Sequence, residues 1–379
     1  MKRIPALVGA ATAVLLTLAG CAANEDTPQS SPTATESVPD ATTDAPPEPP
    51  ADLLSGELTG VGASSQTAAQ EAWKAGFASL QPGVTVNYDP QGSGGGRQQF
   101  ADGASDFAGT DSAFKDEEIE AGAFSRCASK EIVEIPAYIS PIAVVFNLDG
   151  IDSLNLDSAT IAGIFTGAIA KWNDPAIAAT NDGVDLPDSA IVPVHRSDGS
   201  GTTKNFTDYL DQTAPDVWTD GAVEEWPITG GEAAEKTQGM KETLSGAAGT
   251  IGYIDASQAA GLGAAAIKVG EEWVAFSAEG AAKAVAASDL VEGRGANDLA
   301  FKLNRTTTEA GAYPLVLVSY LAACQQYADP ATGQLAKAYL AHVVSPEGQQ
   351  AAAGNAGSAP LQGEPGLAEK VMTAVDTIS

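Results

Sequence analysis

Apolar positions recur along the chain in two rhythms. Short runs rich in β-branched and aliphatic residues predict strands at Leu58–Gly62, Val84–Tyr88, Asp106–Thr110, Ile191–Arg196 and Thr250–Ile254. Ile132–Asn147 is a longer β-rich stretch, interrupted at Ser140-Pro141. Helical spacing comes between them. Ser64-Ser65 opens a helix with Trp73, Phe77 and Leu80 on one stripe, and further helices are predicted around Gln98–Asp102, Thr202–Leu210, Leu315–Ala323, Gln334–Val344 and Leu367–Val375. Strand, turn and helix in repetition specify an α/β fold with mostly parallel sheets, which takes ligands at the carboxyl ends of its strands.

Three of the strand-to-helix turns share one chemistry. They read Gly60-Val61-Gly62-Ala63-Ser64-Ser65, Gly92-Ser93-Gly94-Gly95-Gly96, and Arg196-Ser197-Asp198-Gly199-Ser200-Gly201-Thr202. Each puts small residues and a hydroxyl where a helix begins, and there the unpaired N–H groups and the helix dipole favour an anion. None is a nucleotide loop. Gly199–Lys204 lacks the Gly-Lys-Ser/Thr ending of a Walker A motif, and Arg97 stands where a dinucleotide motif needs its last glycine.

The N-terminus follows another pattern. Lys2 and Arg3 precede an apolar run from Ile4 to Ala19, short for a membrane span, that ends in Leu18-Ala19-Gly20-Cys21. Residues 1–21 therefore read as an export signal. Their ending resembles the lipobox of bacterial lipoproteins, which implies diacylation of Cys21 and an anchor on the outer face of the cell membrane; an ordinary signal with a chance cysteine is the plainer alternative. Residues 22–51 hold Pro, Ser, Thr, Ala and acidic residues with no Lys, Arg or aromatic, the composition of a disordered tether.

Charge narrows the classes of partner. The chain carries 49 acidic against 19 basic side chains, net −30, and losing Lys2 and Arg3 with the signal takes it to −32. Such a surface argues against nucleic acid, and against docking on anionic lipid through charge. Two histidines and three cysteines leave little for a zinc site or a histidine relay, so neither metal nor cofactor is expected. With Cys21 set aside, Cys127 and Cys324 can form one disulfide in an exported protein, and two separate buried thiols are the alternative.

The residues also carry a family likeness. Ile164-Phe165-Thr166-Gly167, Lys171-Trp172-Asn173-Asp174-Pro175 and Val194-His195-Arg196-Ser197-Asp198-Gly199-Ser200-Gly201-Thr202, with Val86-Asn87-Tyr88, the Asp106–Asp111 segment and Gly249-Thr250-Ile251-Gly252-Tyr253, resemble the phosphate-binding lipoproteins of Pst-type ABC transporters. The likeness covers nearly everything from Leu58 to Leu361. It implies a two-lobed periplasmic-binding-protein fold with two crossover strands, residues 52–139 plus 313–379 forming one lobe and 140–312 the other. It implies a monomeric receptor that hands inorganic phosphate to the permease subunits of an ABC importer. Ser64, Ser65, Ser93, Asp111, Arg196, Ser200, Gly201 and Thr202 match the ligand contacts, and Asp198 the residue that orients the arginine. The first loop departs from the family: Ser64-Ser65-Gln66 stands in place of Thr-Phe-Pro, so a serine hydroxyl replaces threonine's and an aromatic is lost.

Physics is consistent with that implication. A guanidinium offers five donors in a rigid fork that suits a phosphate face. A carboxylate such as Asp111 only accepts, so it favours an anion that still carries a proton, and sulfate carries none at neutral pH. Other oxyanions (sulfate, molybdate, arsenate) and a phosphate sensor that feeds no permease are the alternatives. A serine hydrolase or phosphatase using Ser200 is the enzyme reading, and it lacks both the Gly-x-Ser-x-Gly elbow and a base, since His195 sits on the opposite strand face from Arg196. Ser93 and Ser200 also suit simple helix caps, and Arg196 with Asp198 suits a surface ion pair.

Overall fold

A computed structural model describes residues 53–379. The export signal, its Cys21 and the tether at 22–51 lie outside the described residues. In chain order the strands are β1 (Ser55–Gly62), β2 (Gly83–Asp89), β3 (Phe107–Thr110), β4 (Ile132–Phe146), β5 (Ser153–Leu156), β6 (Val192–Arg196) and β7 (Glu232–Ala234). They continue as β8 (Thr250–Asp255), β9 (Gly263–Val269), β10 (Glu272–Val274), β11 (Asp289–Leu290), β12 (Phe301–Lys302) and β13 (Val316–Cys324). The main sheet runs β2-β1-β3-β13-β4-β8-β6-β7, with β9 pairing β4 and carrying β5 and β10. Pairing is parallel on the flanks, β1 with β2 and β3, β6 with β7 and β8, and β5 with β9. It is antiparallel through the middle, where β13 joins β3 to β4 and β4 joins β8.

β4 links the two flanks. Its residues Ile132–Pro141 pair with β13, and Ile142–Phe146 pair with β8. All of its side chains are buried, which is why its sequence is almost unbroken in apolar residues. Neither proline breaks it. Pro136 lies at a register shift opposite Tyr320, where the ladder is already irregular, and Pro141 lies where β4 exchanges one partner for the other. The interruption read at Ser140-Pro141 is a change of partner within one strand.

Leu315–Ala323, read as a helix, is instead strand β13. Every residue of β13 is buried between β3 and β4, so the segment is apolar on both faces and shows no two-residue alternation. Such a run cannot be told from a buried helix by periodicity. The first helix begins with a tight turn at Ser64–Gln66 and continues as Thr67–Leu80. Trp73 and Phe77 are buried in it as expected, and the Trp73 indole donates to Gly348 O at 3.0 Å. Leu80 ends the helix beyond the core and is 60% exposed. The helices Pro330–Val344, Pro346–Ala356 and Leu367–Asp376 bring the C-terminal segment back over β1 and β4. Among the described residues no helix is long and apolar enough to cross a membrane.

Cys127 and Cys324 are bonded across 197 positions, joining the loop before β4 to the end of β13. Closing so long a loop removes much unfolded-chain entropy, about 5 kcal/mol in the chain-entropy model. Replacing both cysteines with alanine is expected to lower the denaturant midpoint accordingly. Equal midpoints in urea titrations of the two proteins would refute this role.

Candidate functional site

The site grows from the carboxyl ends of β1, β3 and β6. β1 delivers Ser64 and Ser65, β3 delivers Asp111, and β6 delivers Arg196 ahead of the helix Gly201–Thr213. The helix Ser93–Ala101 starts inside the glycine run, earlier than the predicted Gln98, because these glycines form its first turn. Gly92, just before it, has φ +91°, and a methyl there would meet Asp198 Oδ2 at 2.6 Å. The two flanks touch at this point, Gly94 N donating to Gly199 O at 3.3 Å.

Asp111 is the centre of the cluster and is 3% exposed. Ser65 Oγ donates to both its oxygens at 2.7 Å, Ser319 Oγ to Oδ1 at 2.5 Å, and Thr202 Oγ1 to Oδ2 at 3.1 Å. Its backbone is fixed too. Asp111 N donates to Ser93 Oγ at 3.1 Å, and Asn205 Nδ2 donates to Asp111 O at 2.7 Å. Burial pushes the carboxyl above the usual aspartate range, opposed by the Ser319, Ser65 and Thr202 hydroxyls and by Arg196. A carboxylate has about four acceptor positions, so three hydroxyls leave room for one further donor.

Arg196 is buried and gripped from one side by Asp198: Nε donates to Oδ1 at 2.7 Å and Nη2 to Oδ2. Asp198 also accepts from Lys236 N at 2.9 Å. Burial alone would raise the Asp198 carboxyl, but Arg196 and the Lys236 amide hold it below its ordinary value. Arg196 Nη1 makes no hydrogen bond to a described residue. The backbone of Arg196 is held by Tyr253, whose hydroxyl accepts Arg196 N at 3.2 Å and shares a hydrogen with Thr203 Oγ1 at 2.8 Å.

The remaining predicted residues divide by role. Ser200 caps its helix, accepting Thr203 N at 3.1 Å, and Ser93 accepts Asp111 N; each hydroxyl keeps its own proton to donate. Gly201 packs where a methyl would lie 2.6 Å from Asp111 Cβ and from Ser93 Oγ. Ser64 is turned from Asp111 to the opposite flank, where it pairs with Thr237 Oγ1 at 2.9 Å and accepts Thr237 N at 3.1 Å. The backbone amides of Ser65, Gly201 and Thr202 have no acceptor among the described residues. His195 stacks on Trp226 and bonds Arg196 O and Gly230 O, so neither ring nitrogen reaches Ser200.

Other participants were not singled out from sequence. Ser319 holds Asp111 and could have been suspected as the lone serine in an apolar run. Asn205 sets the Asp111 carbonyl, and buried Arg305 fixes Asn205 by donating to its Oδ1 at 2.6 Å. Arg97 is 2% exposed and donates to Thr110 Oγ1 at 2.9 Å and to Glu224 Oε2 at 2.7 Å, while Glu224 also takes the Ser112 hydroxyl and its carbonyl takes Ser200 N. Nothing in sequence order marks Glu224 or Thr237.

Residues 27–347 match the model of the PBP superfamily domain. A phosphate-binding protein PstS2 of Mycobacterium bovis is 36% identical over 297 residues, 76% of this chain and 80% of its own length. A phosphate-binding protein PstS 3 of Mycobacterium leprae is 35% identical over 310 residues, 80% of this chain and 82% of its own. Among solved structures, the periplasmic phosphate-binding protein PfluDING bound with phosphate superposes with TM-score 0.69, covering 84% of this chain and 93% of its own at 21% identity, a likeness of fold.

Proposed function

The chain belongs to the PBP superfamily, among the phosphate-binding PstS proteins, and from that membership we propose that it is an extracytoplasmic receptor that binds inorganic phosphate and delivers it to an ABC importer. The observation that carries the reading is convergence. Ser65, Ser93, Gly201 and Thr202 meet at Asp111 from both flanks of the sheet, Arg196 acts on the Asp111 carboxyl, and Arg196 Nη1, the amides of Ser65, Gly201 and Thr202 and the Ser200 hydroxyl keep donors to offer. Donors of this number suit a tetrahedral oxyanion. The single carboxylate among them suits one that still carries a proton. Charge-assisted hydrogen bonds contribute roughly 1.5–3 kcal/mol each, so a handful beyond the costs of desolvation and closure reaches micromolar affinity.

In this reading residues 52–139 with 313–379 form one lobe and 140–312 the other, and they hinge where β4 changes partner. Ligand contacts from both lobes shift the population toward the closed form. Cys21 carries the lipid anchor, the 22–51 segment is the tether, and the receptor acts as a monomer. A serine hydrolase is disfavoured by the Ser200 cap and by a His195 engaged elsewhere.

Calorimetric titration of chain stripped of carried-over phosphate tests the proposal: tight one-to-one binding of phosphate and no heat with sulfate are expected at neutral pH. Binding of neither anion by folded protein sinks it. Asp111→Asn is expected to retain phosphate and to gain sulfate affinity by at least about tenfold, because the amide removes the lone-pair opposition to an unprotonated oxygen. Continued rejection of sulfate by that variant would show that selectivity lies elsewhere.

A further inference from the structure

A cavity of 400 Å³ adjoins the Asp111 cluster, lined in part by Asp111 and by Asn205, whose Nδ2 donates to Asp111 O. Its walls come from both flanks of the sheet and from the segment that carries β11 and β12. Three lysines line it: Lys115, Lys204 and Lys302. Its acidic groups are already engaged. Asp208 pairs with Arg305 at 2.8 Å, Glu224 pairs with Arg97 at 2.7 Å, and Asp111 accepts its three hydroxyls. The lysine ion pairs among the described residues belong to Lys171, Lys236, Lys283 and Lys337; none of the three cavity lysines makes one, and Lys204 Nζ donates to Ala222 O. A second cavity, of 330 Å³, shares Lys115, Lys204 and Glu224.

Three unpaired cations gathered in one place are unexpected on a chain with 19 basic residues and net −30. Burial lowers the Lys204 ammonium below its ordinary pKa, Asp208, Glu224 and Asp211 oppose that, and Lys115 adds to it. An anion between the two ammonium groups relieves both burial and mutual repulsion. Elsewhere the protein's field repels an approaching anion, and at physiological salt that field is screened beyond about 8 Å.

We propose that this cavity is a capture site for inorganic phosphate, a vestibule where Lys115, Lys204 and Lys302 hold the anion before it passes to the enclosed Arg196 site. The inference rests on the phosphate-receptor reading. Binding in the vestibule is electrostatic and hydrated, so it is weak and salt-dependent, whereas the enclosed site works through fixed donors. The lysines therefore govern the association rate and leave dissociation to the inner site.

Stopped-flow tryptophan fluorescence with inorganic phosphate, between about 10 mM and 500 mM salt, separates the two. The Lys115→Gln, Lys204→Gln, Lys302→Gln triple variant is expected to associate about tenfold more slowly at low salt, with a flattened salt dependence and dissociation within about twofold of the parent. Replacing the same lysines with arginine is expected to restore the rate, which guards against a merely structural loss. An association rate and salt slope unchanged in the glutamine variant overturn the vestibule, as does a change in dissociation alone. Failure of the parent chain to bind phosphate in calorimetry would instead overturn the receptor reading on which the vestibule depends.

Discussion

Arg196→Lys is expected to weaken phosphate binding by about 10²–10⁴-fold while leaving the thermal midpoint of the unliganded protein within a few degrees. Arg196 is buried, and Asp198 occupies its Nε and Nη2 edge. That grip leaves Nη1 without a partner among the described residues, and Arg196 acts on the Asp111 carboxyl. Lysine has a single ammonium on a flexible stem, and beside Asp198 it will spend its donors there. About two charge-assisted hydrogen bonds to the anion are lost, each worth roughly 1.5–3 kcal/mol. The sum is about 3–6 kcal/mol, and each 1.4 kcal/mol is about tenfold in affinity. Calorimetry checks the number. A dissociation constant within about threefold of the parent would mean that backbone amides alone hold the ligand.

Gly201→Ala is expected to block closure without disturbing the fold. Gly201 is the first residue of its helix, where alanine is at least as favourable as glycine. Across the cleft, however, the new methyl meets Asp111 Cβ and Ser93 Oγ at 2.6 Å. No real side chain sits so close, and Asp111 is pinned by three hydroxyls and two backbone bonds, so it cannot step aside. Overpacking of this kind costs about 1–3 kcal/mol, paid only in the closed state. Phosphate affinity should fall by about 10–100-fold, and the phosphate-induced compaction expected of the parent in small-angle scattering should be absent. Full compaction with unchanged affinity would show that the two flanks meet differently when the ligand is bound.

Much of this was legible in sequence because anion chemistry at helix starts leaves local marks. Gly-rich turns, hydroxyls and Arg196 with Asp198 two residues on all fall within short windows, and the structure gathers them around Asp111. Side chains that act from a distance left no such mark. Ser319 reaches Asp111 from a strand more than two hundred positions away, and Thr237 reaches Ser64 across the cleft. Glu224 sits in an irregular segment where a carboxylate has no periodic signature. Fold reading failed where burial was most complete. β13 lost its alternation because both faces are covered, and the prolines of β4 looked like breaks because pairing partners are not visible along one chain.

The crossing of β13 into the middle of the sheet also fixes an order of assembly. β5 to β10 come from one continuous stretch, so their flank can pair as soon as that stretch is available. The flank built on β1, β2 and β3 waits for β13, and for Ser379, whose carbonyl accepts Tyr327 N and whose amide donates to Gln325 O. The strands near the start of the described residues are thus sealed by contacts more than two hundred positions further along. Long-range closure of this kind is slow. During that interval β3 presents an open edge, and Cys127 has no partner until Cys324 arrives. A chain whose first three strands close late stays unfolded longer, a state suited to threading through a narrow pore before it folds.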